Sequence, residues 1–299
     1  METVGVRHGG VKHSLHILLH SLIDYAGLFP PAGLKMEDAV ANYARYKSGR
    51  HAWALGRFVV PAARLEEFEK YFTPGREIWH LSALIGQTAA EDLACIADFN
   101  GRHRHSALID TIEAKASDPA AVRQLKAQVP EHILVYFEVP SGGDPDELVK
   151  AIGEAHARAK VRTGGLTPEM FPTEQQVLRF LEACVTENVA FKATAGLHHP
   201  VRCMKPLTYE KDGPSGTMHG FLNVFLAAAF LLDGVAAKDL EALLLDDDPA
   251  HFGFDEDAVT WCGHRLSQAR LLESRALAAS FGSCSFEEPI SDLIALNFL

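Results

Sequence analysis

The sequence has few cysteines, and none of them stands in a metal-binding or disulfide pattern. Five cysteines are scattered over 299 residues, their number is odd, and no two are spaced as Cys-x-x-Cys. Structural zinc sites and the disulfide frameworks of small secreted domains both depend on closely spaced cysteines. The pattern therefore argues against both and predicts a reducing, cytoplasmic location.

Long hydrophobic runs are also absent. The most apolar stretch, Phe221 to Leu232, is interrupted by Asn223, and it falls short of the roughly 20 residues that a membrane-spanning helix needs. The polar, glycine-containing start of the chain does not show the basic-then-apolar order of a secretory signal. We therefore expect a buried helix at 221–232, no membrane partner, and flexible residues at 1–14.

Positive charge is in deficit. The chain has 28 Lys and Arg against 39 Asp and Glu, which gives a formal net charge of -11. Such a surface disfavours nucleic acid and anionic membranes as partners. A small anionic substrate would then need a local cluster of Lys and Arg. Internal repeats and low-complexity linkers are missing as well, so we expect a single domain over 1–299.

What the sequence does contain is a regular alternation of short, β-rich apolar runs and amphipathic helical stretches. Helix starts are marked by Asp118-Pro119, by Asp144-Pro145-Asp146-Glu147 and by the capping box Thr173-Glu174-Gln175-Gln176. Eight strand-helix units without a composition break predict an α/β protein, a (β/α)8 TIM barrel rather than an open sheet. The predicted strands are Ser21–Tyr25, Leu55–Val60, Ile78–Ile85, Ser106–Ile112, Ile133–Val139, Lys160–Thr163, Val189–Thr194 and Ala278–Ser283.

An insertion at 200–262 interrupts the alternation between the seventh and eighth strands. It contains two predicted helices, Met218–Asp233 and Ala236–Leu245, followed by the acidic loop Asp246-Asp247-Asp248. Such a segment caps the barrel mouth, forms a subunit contact in a homo-oligomer, or is a surface elaboration. The sequence alone leaves these three possibilities open.

Polar residues at the carboxyl ends of barrel strands are the catalytic candidates in this fold. A buried charge is costly unless it is paired or functional. Acids and an amine on separate strands therefore predict one converging site, although a structural salt bridge or a solvated rim position explains each residue equally well when taken singly. The candidates are Asp24, Arg57, Asp110, Glu138, Arg162 with Thr163, Lys192 with Thr194, and the Gly282-Ser283-Cys284-Ser285 turn.

Two turns of small residues have the composition of anion sites. They are Arg162-Thr163-Gly164-Gly165 after the sixth strand and Phe281-Gly282-Ser283-Cys284-Ser285 at the eighth. Glycine lets backbone N–H groups approach an anion closely, and the last strand of a barrel is a common phosphate position. With Lys192 and Arg202 nearby, the turns predict a phosphate or carboxylate pocket, to which Thr194 and Arg57 contribute. Within the second turn, Cys284 is either a reactive thiol or, as we favour from the sequence, a small packing residue.

Lys192 is the most informative of these residues, because it interrupts an apolar strand. Desolvation and nearby cations would lower its pKa, as a Schiff-base nucleophile or a proton shuttle requires. The alternative is a core ion pair with Glu138 or Asp110. The pair His198-His199 that follows this strand is a weak alternative metal site, and surface loop histidines are its plainer interpretation.

The order of these motifs resembles that of deoxyribose-phosphate aldolase, a class I (Schiff-base) aldolase with a (β/α)8 barrel. The resemblance extends over most of the chain, although each motif is short. It implies a catalytic aspartate at Asp110, a glutamate at Glu138, a proton-relay lysine at Lys192 and a phosphate-binding turn at 281–285. The similar segments are Leu22-Ile23-Asp24-Tyr25, Met36-Glu37-Asp38-Ala39-Val40, Leu84-Ile85-Gly86, Leu108-Ile109-Asp110, Val135-Tyr136-Phe137-Glu138, Phe191-Lys192-Ala193-Thr194-Ala195-Gly196 and Phe281-Gly282-Ser283-Cys284-Ser285.

The sixth strand departs from that family. In the aldolase family the nucleophilic lysine of the sixth strand stands in a Lys-Thr-x-Thr-Gly motif. In this chain the equivalent stretch is expected at Val161-Arg162-Thr163-Gly164-Gly165. A guanidinium stays protonated and forms no imine. Either the nucleophile has moved to Lys192 while Arg162 holds an anion, or no Schiff base forms. Lys160 is a third option, but we expect it to lie too deep in the barrel.

Three functions follow from these observations. The first is a cofactor-free lyase of the aldolase type for a small phosphorylated or carboxylated carbonyl compound, in which Lys192, Asp110, Glu138 and Asp24 are catalytic. The second is a metal-assisted or acid–base isomerase or hydrolase, in which Asp110, Glu138 and His198 or His199 bind a divalent ion. The third is a non-catalytic barrel that binds a metabolite, which the arginine at position 162 favours.

Overall fold

Eight parallel strands close into a barrel, and the predicted fold class is confirmed. The computed structural model describes residues 11–299, and the strands follow one another around the barrel in the order β1-β13-β7-β6-β5-β4-β3-β2. Their interiors are rich in buried Val, Ile, Phe and Ala, as is typical of parallel strands that are covered on both faces. The barrel strands are β1 Ile23–Tyr25, β2 Leu55–Pro61, β3 Trp79–Leu84, β4 Ala107–Lys115, β5 Leu134–Val139, β6 Arg158–Arg162, β7 Phe191–Thr194 and β13 Ala278–Ser283.

Helices separate these strands and begin where the sequence indicates. The Asp118 carboxylate accepts a hydrogen bond from Ala121 N, and Thr173 with Gln176 forms the complete capping box. The Asp144 carboxylate accepts from Asp146 N. Pro145 rather than Asp144 occupies the cap position, so this helix begins one residue later than we expected. The helices are α1 His13–Leu19, α2 Met36–Lys47, α3 Leu65–Tyr71, α4 Ala89–His103, α5 Pro119–Lys126, α6 Asp146–Glu154, α7 Glu174–Thr186, α8 Phe221–Leu232, α9 Ala237–Leu245, α10 Gln268–Leu277 and α11 Glu287–Ala295.

The insertion is more ordered than the sequence indicated. Its two predicted helices are present as α8 and α9, but the strands around them were missed. Residues 203–218 form a hairpin, and residues 252–267 form a small antiparallel sheet. The additional strands are β8 Cys203–Pro206, β9 Ser215–Met218, β10 Phe252–Phe254, β11 Ala258–Trp261 and β12 His264–Ser267.

Helix α8 is the buried helix that its composition predicted. Its residues from Phe221 to Phe230 are all buried, including Asn223. The Asn223 side-chain amide donates to the backbone carbonyls of Leu243 and Asp246, which fixes α8 against the end of α9. A buried amide is tolerated when its donors are satisfied in this way. Among residues 11–299, no helix is both long and apolar enough to cross a bilayer.

The start of the chain differs from the expectation of flexibility where helix α1 begins. Residues 1–10 of the predicted flexible stretch 1–14 lie outside the described residues. Helix α1 begins at His13, so its first two residues are helical rather than flexible. This helix packs on α10 and contacts β10 and β11.

Candidate active site

A pocket opens at the carboxyl ends of the barrel strands. Its volume is about 250 Å³. The floor is charged, because Glu113, Lys160 and Lys192 line it, and Arg162 stands at the exposed edge. The wall is largely apolar. It is formed by Phe29, Pro30, Val59, Leu84, Leu166, Met170, Leu207 and Met218. The pocket therefore suits a small molecule with a polar end and an apolar body.

Lys192 forms the centre of the floor and is fully buried. Its Nζ lies 2.7 Å from Asp24 Oδ2 and 2.7 Å from Glu113 Oε1. Ser280 Oγ donates to the same Asp24 oxygen, and the Tyr136 ring centroid is 5.5 Å from Nζ. Lys192 is thus the core ion pair that we considered, but with Asp24 and Glu113 as partners in place of Glu138 or Asp110.

Lys160 extends this network on the neighbouring strand. Its Nζ lies 3.1 Å from Glu113 Oε2 and 2.9 Å from Glu138 Oε2. Lys160 pairs with Lys192 in the strand register, so the two ammonium groups share the Glu113 carboxylate. The expectation that Lys160 lies too deep was wrong, because its side chain reaches the pocket floor.

The charges of this network also correct the expected pKa of Lys192. Burial alone lowers a lysine pKa, but Asp24 and Glu113 more than offset it, and the pKa of Lys192 is raised above its ordinary value. The same pairing acts on Glu113, where burial raises the pKa but Lys192 and Lys160 lower it to about 2. Lys192 is therefore a firmly held ammonium, not the free amine that a nucleophile requires.

Asp110 and Arg57 lie away from the pocket. The prediction that Asp110 lies at the carboxyl end of the fourth strand was wrong, because β4 continues to Lys115. Asp110 is near the amino end, where it accepts two hydrogen bonds from the Arg57 guanidinium and contacts His80 Nδ1 at 2.8 Å. Burial raises the pKa of Asp110, but Arg57 and His80 lower it below its ordinary value. This is the end of a barrel whose polar groups serve stability.

We therefore expect Asp110→Asn to cost stability. Loss of the charge on the bidentate hydrogen bond between Arg57 and Asp110 should lower the free energy of unfolding by about 1–3 kcal/mol. Urea denaturation measures this loss, and Asp98→Asn on the exposed face of α4, also paired with an arginine, should change it by less than about 0.5 kcal/mol. Unchanged stability in the Asp110 variant would contradict the structural role.

Glu113 is the site residue that the sequence analysis missed. It lies three residues after Asp110, and a bulge at Asp110 breaks the pairing of β3 with β4 between Ile109 and Thr111. The bulge shifts the strand alternation by one residue, so counting from Asp110 does not predict which way Glu113 points. The apolar residues Ile112 and Ala114 on either side of Glu113 were the one available indication that the strand continues.

The turn after β6 is packed rather than open to an anion. The Thr163 hydroxyl donates to Ala195 O, and a Cβ on Gly164 or Gly165 would lie within 3 Å of Phe171 or Met170 side-chain atoms. These glycines are thus needed for packing. Thr194 Oγ1 lies 3.4 Å from Val161 O.

The turn after β13 likewise uses its polar groups internally. Ser283 is buried, and its Oγ accepts from Ser285 N. Gly282 lies in register with Thr194 and lines the pocket. The phosphate cradle that we expected at these turns stays a prediction, and exposed Arg162 is the pocket cation best placed for an anionic group.

The packed turn predicts that Gly164→Ala is destabilising. The new methyl group would collide with the Phe171 ring, and overpacking of this kind costs about 1–3 kcal/mol. Gly142→Ala is the matched control, because its Cβ would meet nothing within 4 Å. Thermal unfolding of the two variants checks the prediction, and equal midpoints would contradict it.

The adjacent histidines do not form a metal site. His198 Nδ1 lies 2.8 Å from Glu288 Oε2, whereas His199 Nδ1 lies 2.5 Å from Asp292 Oδ2. Asp110 and Glu138, the other proposed ligands, have Arg57 and Lys160 as partners. The metal set of our second hypothesis is therefore not assembled. Outside the pocket, Asp246, His251 and Cys262 of the insertion hold donor atoms within 4.8 Å of one another.

Comparison with known proteins adds a likeness of fold only. No protein-family model and no curated protein matches the chain. The solved structures that it resembles include the catalytic domain of a hyperthermophilic chitinase from Pyrococcus furiosus, with 8% identity, a TM-score of 0.32, and coverage of 58% of this chain and 72% of that one. Another is the spore cortex-lytic enzyme SleL from Bacillus cereus, with 10% identity, a TM-score of 0.42, and coverage of 97% and 75%.

The chain is thus a (β/α)8-barrel protein with a charged pocket at the carboxyl ends of its strands. The substrate and the reaction must be argued from that pocket.

Proposed function

We propose that the protein is a Schiff-base lyase that makes or breaks a carbon–carbon bond beside the carbonyl of a small carboxylated compound. The observation that supports this most is the pair of lysines on adjacent strands, Lys160 and Lys192, sharing the Glu113 carboxylate at the pocket floor. Such chemistry needs an amine that adds to the carbonyl. It also needs a second cation that keeps the proton-transferring carboxylate in place.

Lys160 is the better nucleophile of the two. The Lys192 ammonium lies 2.7 Å from a carboxylate oxygen of Asp24 and 2.7 Å from one of Glu113, and its pKa is raised. Lys160 has longer contacts, and one of its partners, Glu138, is partly exposed. The resemblance to deoxyribose-phosphate aldolase supports the same choice when the sixth-strand motif is placed at 160–164 in place of the 161–165 that we expected. Counted back from Thr163-Gly164, the lysine of a Lys-Thr-x-Thr-Gly motif falls on Lys160, and Arg162 takes the variable position.

The remaining groups have distinct roles in this proposal. Glu138 accepts a proton from the Lys160 ammonium and frees the amine for attack. Glu113, held as a carboxylate by Lys192, shuttles the proton at the carbon next to the imine. Asp24 fixes Lys192 and is a positioning residue. The exposed Arg162 pairs with the substrate carboxylate, and the apolar wall around Phe29, Leu166 and Met170 takes the rest of the molecule.

A second candidate is an acid–base isomerase on the same floor. The observation in its favour is that Lys192 remains an ammonium beside a carboxylate with a pKa of about 2. Such a cation stabilises an enolate without forming an imine. A barrel that only binds a metabolite is the third possibility, and it differs from both in having no turnover.

The first experiment is solvent exchange. The protein is incubated in deuterium oxide with a panel of 2-oxo acids of increasing apolar length and of sugar phosphates, and proton NMR follows the hydrogen beside the carbonyl. We expect catalysed exchange, faster for apolar-tailed acids than for sugar phosphates, and unaffected by a chelator. No exchange with any compound would contradict both catalytic proposals.

A further inference from the structure

A second group of reactive side chains meets at the rim of the pocket, apart from the lysine floor. Cys284 follows β13 directly, and its Sγ lies 3.9 Å from His198 Nε2 in the segment after β7. The other ring nitrogen, His198 Nδ1, lies 2.8 Å from Glu288 Oε2 in the first turn of α11. The Tyr209 hydroxyl donates to the same Glu288 oxygen at 2.9 Å and lies 3.8 Å from Sγ.

The order thiol, imidazole, carboxylate is the arrangement that activates a nucleophile. Burial lowers the pKa of His198, but Cys284 and Glu288 more than offset it and raise it to about 9. Burial raises the pKa of Glu288, whereas His198 and Tyr209 lower it below its ordinary value. The carboxylate therefore orients the imidazole and stabilises its protonated form, which is the form that the base of a cysteine nucleophile reaches when it takes the thiol proton.

The position of Cys284 gives this thiol access to a bound molecule. All five cysteines belong to the described part of the chain, and only Cys284 lines the pocket. His198 lines it too, next to the apolar side chains of Leu207 and Met218. A helix of nine residues, α11, begins three residues after Cys284, so the thiol lies near the positive end of the helix dipole. The packing role that we favoured for Cys284 from the sequence leaves these contacts unexplained.

We propose that Cys284, His198 and Glu288 form an acyl-transfer site that takes small apolar acyl groups from thioesters or activated esters. His198 removes the thiol proton, and Sγ forms a bond to the acyl carbon. The bond to the leaving thiol or alcohol breaks, and His198 returns the proton to it. Water, deprotonated by His198, then attacks the acyl-cysteine to release a carboxylic acid and the free thiol. The activity does not depend on the Schiff-base proposal.

Competitive alkylation is the first test. Wild-type protein is treated at neutral pH with limiting iodoacetamide, and peptide mapping follows each cysteine, with the exposed Cys95 and Cys262 as internal references. An ordinary thiol is only a few per cent ionised at neutral pH, so an activated Cys284 should react roughly tenfold faster than either reference. In His198→Gln it should fall below them. Labelling of Cys284 slower than Cys95 in the wild-type protein would overturn the proposal.

The second test asks for the acyl group itself. The protein is mixed with a short-chain p-nitrophenyl ester or an N-acetylcysteamine thioester, quenched, and mapped. We expect an acyl adduct on Cys284, lost in Cys284→Ala and kept in the matched Cys262→Ser variant. An activated thiol that forms no adduct with any acyl donor would also overturn the assignment. Imine formation is read on the wild-type protein with a different reagent, so failure of either proposal is seen separately.

Discussion

Lys192→Met is expected to lose about 3–5 kcal/mol of the free energy of unfolding, because it leaves buried carboxylates without their main counter-ion. Asp24 and Glu113 are each 2% exposed at the side chain and lie 2.7 Å from the lysine that is removed. Methionine fills the volume but supplies no charge. Chemical denaturation at neutral pH measures the loss, and Lys238→Met on the exposed face of α9 is the control, with less than about 0.5 kcal/mol expected.

The loss should shrink as the solution is acidified. A carboxylate whose pKa is lowered in the folded state stabilises the protein above its unfolded pKa and loses that contribution as the pH falls towards its folded pKa. For Glu113 this window runs from 4.5, its ordinary value, down to about 2. Without Lys192 the carboxyl takes up a proton more readily, so the variant approaches the wild-type protein in acid. A deficit that stays constant between pH 7 and pH 3 would contradict this account.

A double-variant cycle tests the pairing itself. Glu113→Gln in the Lys192→Met background removes one of the two buried carboxylates that have lost their counter-ion, and it should recover part of the lost stability. The two changes should therefore cost less together than the sum of the single variants. Additive losses would show that the pair is not coupled.

The Lys160→Met variant carries the largest expected effect on activity. If Lys160 is the nucleophile, its removal should lower α-hydrogen exchange by about 10³-fold or more, since no other step supplies the iminium. Lys160→Arg should fail to the same degree, because a guanidinium keeps the charge near Glu113 and Glu138 but forms no imine. Lys238→Met is again the matched control. Retention of exchange in Lys160→Arg would favour the acid–base isomerase.

Much of the fold followed from the sequence because its determinants are local. Three features depend on neighbouring residues, and each is confirmed: the strand-helix alternation, the capping box at Thr173 and the apolar composition of α8. The hairpin and the small sheet of the insertion were missed, because their strands are only three or four residues long and hold little periodicity.

The site was harder to predict, because it depends on register between strands. Asp24 and Lys192 were chosen from their strands and do meet. Glu113 was hidden by the bulge at Asp110, which changes the direction of every side chain after it. The sequence also does not show that Phe171 and Met170 pack on the glycines of the turn after β6.

The rim group illustrates the same point. His198 lies 86 residues before Cys284 in the chain, whereas Glu288 follows Cys284 closely, in the first turn of α11. The sequence offered Cys284 as a small turn residue and His198 as a loop histidine. Only the closure of the barrel, which sets β7 beside β13, brings their side chains together.

The most direct test of the central claim is borohydride trapping with site mapping. Wild-type protein is incubated with the 2-oxo acid that exchanges fastest, reduced, and digested, with a class I aldolase trapped alongside as the positive control. We expect a reduced adduct on Lys160, absent from Lys160→Met and from samples without borohydride. An adduct on Lys192 would move the nucleophile, and no adduct while the control aldolase is trapped would contradict the Schiff-base mechanism.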